Sequence, residues 1–106
     1  MVGRNNTQND KLTLKTAAKN DIWLHTKNIH GAHAIIVTNG LQPDEQTIKE
    51  AAQIAAYHSK ARESSQVPVD YTLVKNVSKP SGAKPGMVIY VKNRTIYVTP
   101  ELPQKV

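Results

Sequence analysis

The apolar residues of this chain change their period several times, and each change marks an element. Between Asp21 and Thr26 they alternate, with Ile22 and Leu24 on one face and Trp23 and His25 on the other, which is the period of a strand. Asn28–Gly31 reads as a turn, and the apolar run Ala32–Thr38, closed by Asn39-Gly40, as a buried strand. After Pro43 the period becomes helical. Ile48, Ala51, Ala52, Ala55 and Ser59 form one stripe, and the spacing predicts a long helix over 43–64. Pro43 suits the first helical position, Asp44 and Glu45 favour the dipole there, and Lys60 and Arg62 favour it at the far end. The alanines of the stripe allow close packing on a sheet. Alternation returns at Val67–Val74, with Val67, Val69, Tyr71 and Leu73 on one side. Pro68 places the start of that strand at a sheet edge or where the chain enters the sheet. Met87–Val91 and Thr95–Val98 read as strands, and Lys92-Asn93-Arg94 between them predicts a hairpin with a charged tip. At the other end, residues 1–4 suit a short strand. Asn9-Asp10 offers an N-cap for a short helix over 9–18. The expected class is α+β, a mixed or antiparallel sheet of about five strands packed by one long helix and one short one.

Composition narrows the picture. The 106 residues suffice for one domain, taken as 1–100 with a tail over 101–106. A domain of this size buries roughly 65% of its extended-chain surface, so a single core without staples is feasible. The chain has no cysteine, which excludes disulfides, thiolate metal sites and a cysteine nucleophile, and suits the cytoplasm. No apolar run approaches the roughly 20 residues of a membrane span, and the opening Met-Val-Gly-Arg shows no leader. The net charge of +6 is uneven. Residues 1–42 hold five bases against two acids, residues 43–64 three against four, and residues 65–106 six against two. Two basic flanks around a neutral middle point to a polyanionic partner.

Candidate chemistry points the same way. His25, His30 and His33 tempt a metal assignment, but Gly31 breaks the spacing and no cysteine completes a set. Neither a Gly-x-Ser-x-Gly elbow nor a phosphate-binding Walker loop is present. Asp21 could orient His25 or cap the turn after Asn20, and the second role is the expected one. The chain is therefore expected not to be an enzyme and to need no cofactor. Lys79, Lys84, Lys92 and Arg94 fall in loops, where side chains can reach phosphates. Lys27 and His30 occupy the turn after Trp23, and an exposed Trp or Tyr beside such a turn could stack a base. Core packing of Trp23 is the competing reading, with partial burial and a polar partner for its N–H. Gly82 and Gly86 let the 79–86 loop bend tightly.

Several strings together resemble a known family. Gly3 to Asp10 reads Gly-Arg-Asn-x-x-Gln-Asn-Asp, and Asp21 to His33 reads Asp-Ile-Trp-x-His followed by a glycine turn. Thr47 to Ser59 reads Thr-x-x-Glu-Ala-x-x-x-Ala-x-x-x-Ser. Val-Asp-Tyr-Thr, Val-Ser-Lys-Pro and Pro-Gly-x-Val-x-Tyr follow between Val69 and Tyr90. In this order they are similar to the NFACT-R domain, the C-terminal RNA-binding-type module of the NFACT family. One departure is His30-Gly31-Ala32-His33, where many bacterial members read Pro-Gly-Ser-His. The resemblance implies a monomeric RNA-binding module of a ribosome quality control factor. Such factors bind the large ribosomal subunit, recruit tRNA (alanyl-tRNA in bacteria) and support alanine tailing of stalled nascent chains. It also carries an alternative, an adhesion module, because bacterial members bear the name fibronectin- or fibrinogen-binding protein; that would add a cell-surface fraction. The motif positions implied are Arg4, Asn5, Gln8, Asn9, Trp23, His25, Gly31, Lys79, Pro80 and Gly86. With the basic loops, the expected RNA-binding set is Arg4, Asn5, Gln8, Asn9, Trp23, His25, Lys27, His30, Lys79, Lys84, Lys92 and Arg94.

Overall fold

The computed structural model describes residues 1–3 and 5–102; Arg4 and residues 103–106, most of the expected tail, lie outside it. A four-stranded antiparallel sheet forms the middle layer, in the order β2-β1-β3-β6. These strands are β1 (Ile22–Thr26), β2 (Ala34–Ile36), β3 (Val67–Leu73) and β6 (Arg94–Val98). The remaining strands, β4 (Val77–Ser78) and β5 (Ile89–Tyr90), pair with each other as a separate ribbon. Helix α1 is Asn6–Lys11 and helix α2 is Glu45–Tyr57. The α+β class stands.

Period two puts the two faces of β1 into two cores. Ile22 and Leu24 pack with Val67, Val69, Val98 and the alanines Ala52, Ala55 and Ala56 of α2. Trp23 packs on the opposite side with Ile35, Val74, Val77, Leu12 and Tyr90. The sheet is thus sandwiched between α2 and a second layer made of α1, its continuation, and the β4–β5 ribbon. The fully buried alanines of α2 are the small residues that let helix and sheet approach closely.

Four expectations change. Helix α2 is shorter than 43–64: Asp44 is its N-cap, accepting from the Thr47 N–H at 2.8 Å, so Pro43 precedes the helix. After Tyr57 the chain turns, because Ser59 Oγ donates to Ala56 O and accepts from Ala61 N–H. Lys60 and Arg62 therefore lie beyond the helix, and Arg62 folds back over the Tyr57 ring at 4.2 Å. The short helix starts earlier than 9–18, capped by Asn5, whose side chain accepts from the Gln8 N–H at 2.8 Å. It widens into a π turn over Leu12–Thr16, closed by Ala17 N–H on Leu12 O at 2.8 Å. The expected hairpin between Met87 and Val98 does not form: β5 pairs with β4 while β6 pairs with β3. Lys92, at φ 57°, turns the chain from the ribbon into the sheet. Finally, β3 is an interior strand despite Pro68. Pro68 O accepts from Lys27 N–H at 2.9 Å, one step past Thr26, the last paired residue of β1, so the return bond that proline cannot donate falls at the end of that ladder, where the chain enters the sheet.

Asp21 closes the start of β1 as expected of a cap. Its carboxylate accepts from Ala18 N–H at 2.9 Å and from Thr38 N–H at 3.1 Å. Gly31 lies where any side chain would collide with Ser59, and Lys60 N–H donates to His30 O at 3.1 Å. The glycine turn and the end of α2 are thereby one packed unit, which accounts for the small residues at both sequence positions.

Candidate nucleic-acid interface

Several polar motif residues face inward. Trp23 is 0% exposed and stacks on His25 at 5.8 Å, with His33 edge-on at 5.3 Å and Tyr90 at 4.7 Å. A base cannot reach its ring, so the stacking role read for Trp23 is corrected to a core role. Its indole N–H also lacks the expected polar partner: it is the buried polar side-chain atom left unpaired among the described residues. His33 is buried, and its Nδ1 shares a 2.8 Å hydrogen bond with Thr13 Oγ1. Burial, then the neighbouring His25, lowers His33 to about 4. Burial also lowers His25, partly offset by hydrogen bonds to the Gly31 and Thr26 backbone. His25 is half-buried, and both imidazoles are neutral at pH 7. Buried Asp70 accepts from Tyr90 Oη at 2.5 Å and Thr95 Oγ1 at 2.6 Å, with Lys27 Nζ at 3.5 Å. Burial and this carboxylate push the Tyr90 hydroxyl up, so it stays a donor. Among the described residues no three His, Asp or Glu side chains converge as metal ligands.

Asn9 is also internal. Its Oδ1 accepts from His33 N–H at 3.1 Å, and its Nδ2 reaches Gly31 O at 3.5 Å. A side chain at Gly3 would run into Asn9, which is why the N-terminal segment, whose expected strand is reduced to a single bridge from Val2 to Ala34, needs glycine there. Asn9 is therefore corrected from an RNA contact to a brace between α1, the N-terminal segment and the glycine turn. Lys79, partly exposed, is engaged within the fold as well. Its ammonium donates to Lys84 O at 2.6 Å and Met87 O at 3.2 Å and pairs with Asp10 at 3.2 Å. Gly86, at φ 85°, donates its N–H to the same Asp10 at 3.0 Å. Lys79 thus staples the 79–86 loop to α1 with its donors already committed.

The remaining members of the expected set are at the surface, and Arg4 lies outside the described residues. Asn5, Gln8, Lys27, His30, Lys84, Lys92 and Arg94 are exposed, but they do not share one face. Lys27 and His30 sit at the glycine turn. Lys92 and Arg94 rim a cleft at the opposite end of β1 and β3. Asn5, Gln8 and Lys84 belong with α1 and its loop.

The face that carries most charge includes residues the sequence reading passed over. Segments 5–20 and 74–93, which build the layer under Trp23, hold Lys11, Lys15, Lys19, Lys75, Lys79, Lys84 and Lys92 against Asp10. The α2 segment 43–64 holds Lys49, Lys60 and Arg62 against Asp44, Glu45, Glu50 and Glu63. Lys11, Lys15 and the committed Lys79 line one groove with Thr7 and the partly exposed Leu14. Lys75 N–H donates to Lys19 O at 3.0 Å, joining α1's end to the start of the ribbon. The overlooked signal was the recurrence of Lys11, Lys15 and Lys19 every four residues, a helical spacing.

Known proteins share this chain's sequence and fold. The model of the NFACT protein RNA binding domain matches residues 1–92. The Rqc2 homolog RqcH of Bacillus subtilis (strain 168) is 58% identical over 101 residues, covering 95% of this chain and 17% of the relative. The Rqc2 homolog RqcH of Streptococcus suis (strain 05ZYH33) is 47% identical over 100 residues, covering 94% and 18%. The solved C-terminal part of the fibronectin/fibrinogen-binding protein from Streptococcus suis superposes with a TM-score of 0.89 at 46% identity, over 95% of this chain and 40% of that one. The chain spans less than a fifth of the length of the two RqcH relatives. With the family match over most of its length and the same fold in a close relative, the chain belongs to the NFACT protein RNA binding domains.

Proposed function

We propose that this chain is the RNA-contacting module of a ribosome quality control factor, and that it lays its lysine-rich layer along the phosphates of tRNA or large-subunit ribosomal RNA. The observation that carries this reading is the separation of charge by layer. Segments 5–20 and 74–84, which build the α1–ribbon layer, carry Lys11, Lys15, Lys19, Lys75 and Lys84 besides the Lys79–Asp10 pair, while the α2 segment 43–64 holds three bases against four acids. Lysines on a rigid surface neutralise phosphates without demanding sequence. In this reading the domain performs no chemistry. Peptidyl transfer and alanine tailing belong to the ribosome and the recruited alanyl-tRNA, and the place of action is the cytoplasm. The test is fluorescence anisotropy with labelled tRNA from low to moderate salt. With about 3–5 phosphates contacted, the log–log slope is expected at roughly −2 to −4. A slope near zero, or no binding at low salt, overturns the reading. Fibronectin at matched ionic strength is the control suggested by the name of the structural relative. Tighter binding there than to tRNA favours the adhesion reading.

A further inference from the structure

We infer that the cleft beneath Lys92 and Arg94 is a subsite for one nucleotide of RNA, with the base inside and its phosphate on the two cations. The inference rests on the RNA-binding reading and locates a second element of it. The cleft measures about 330 Å³, at the small end of ligand-sized sites. Its wall is apolar and aromatic, from Ile22, Ile48, Tyr71 and Leu73, and its rim is polar. Asn76 stands at that rim. Its Nδ2 donates once, to Thr72 Oγ1 at 3.0 Å, which leaves one amide hydrogen and the amide oxygen for the edge of a base.

The rim is held rather than loose. Thr72 Oγ1 reaches Val91 O at 3.0 Å and Lys92 O at 3.4 Å, and Val91 N–H donates to Asn76 O at 3.2 Å. Lys92 keeps a left-handed backbone at φ 57°, unusual for a residue with a side chain, and strain of this kind concentrates at binding sites. The ion pairs among the described residues are Lys27–Asp70 and Lys79–Asp10, so Lys92 and Arg94 are not neutralised by a carboxylate. An unpaired guanidinium and ammonium over an aromatic wall suit a phosphate attached to a flat ring.

The test is a titration of the isotopically labelled chain, followed by amide chemical shifts. Uridine and adenosine 5′-monophosphate, inorganic phosphate and an N-acetyl dipeptide with a free carboxylate are the probes. Saturable shifts are expected at Thr72, Leu73, Asn76 and Lys92 with a mononucleotide, at concentrations at least tenfold below those needed with phosphate. Gln42→Trp, an exposed lip position, should plug the cleft and weaken the mononucleotide at least fivefold. Arg94→Gln should weaken mononucleotide and phosphate alike. Silence at these amides, an equal response to phosphate, or preference for the dipeptide overturns the inference. Binding of tRNA is measured on the same samples. If tRNA binds while the cleft stays silent, this inference alone fails. If tRNA does not bind, the parent reading fails, and the RNA assignment of the cleft with it.

Discussion

Two residues trade the roles their chemistry suggests. Trp23, the side chain best suited to stacking a base, is sealed in the core, and Lys79, a loop cation, pairs its charge with Asp10 and two loop carbonyls. Trp23→Ala should therefore destabilise the fold by about 3–5 kcal/mol, the usual cost of emptying a large aromatic site. Urea denaturation measures it; a loss below about 1 kcal/mol together with weaker RNA binding would restore the surface role. Lys79→Ala and Lys84→Ala occupy the same loop and should behave differently. Lys79→Ala removes charged hydrogen bonds to two carbonyls and to Asp10 and should cost about 1–2 kcal/mol. Lys84 contributes its carbonyl to that staple, which alanine keeps, so Lys84→Ala should change stability by no more than about 0.5 kcal/mol and should weaken RNA binding. Equal melting of the two variants would mean the staple is not structural.

At the scale of elements, the π turn after α1 meets the segment leading into β2 through the buried pair Thr13 and His33, and the burial of His33 there gives the domain a pH dependence. His33 has its folded value depressed to about 4, against about 6.5 in an unfolded chain. Between those values the unfolded state holds the extra proton, so stability rises with pH. It is complete above about pH 6.5 and drains as pH falls towards 4, by at most about 1.4 kcal/mol per pH unit for this histidine. Chemical denaturation at pH 7, 5.5 and 4.5 should show the decline, and His33→Asn should flatten it; an unchanged slope in the variant assigns the effect elsewhere. Much of this architecture was legible in the sequence. The two faces of β1, the stripe of α2 and the side of β3 carrying Val67 and Val69 all follow from period alone, because each strip is apolar on one side. What escaped was pairing. Lys92-Asn93-Arg94 looks like a hairpin tip because local spacing cannot say that β5 will take β4 as partner. The internal role of Asn9 escaped for the same reason, since His33 and Gly31 lie far away in sequence, as did the pairing of Lys79 with Asp10; core packing of Trp23 was legible as one of two readings.

For the whole molecule, the useful quantity is the distribution of charge between its outer layers. Replacing Lys11 and Lys15 together by glutamine should make the log–log salt slope of tRNA binding shallower by about 1.4–1.8, since each lost phosphate contact removes about 0.7–0.9. Replacing Lys49 and Lys60 on the α2 side should leave the slope unchanged. Anisotropy at four salt concentrations separates the two variants; equal effects would mean that net charge, rather than one face, sets the affinity.

The staple between Lys79, Gly86 and Asp10 bears on when this face comes into being. Asp10 and Gly86 are 76 positions apart, so the loop that fixes the α1 lysines can dock only after almost the entire domain has been made. Contacts of such separation form late, because closing long stretches of chain must precede them. A half-synthesised domain, growing from its N-terminus, would carry Lys11 and Lys15 on α1 and its π turn without their anchor. Grip on RNA should then arrive with completion of the fold, keeping an unfinished copy from clinging to the ribosome that is making it.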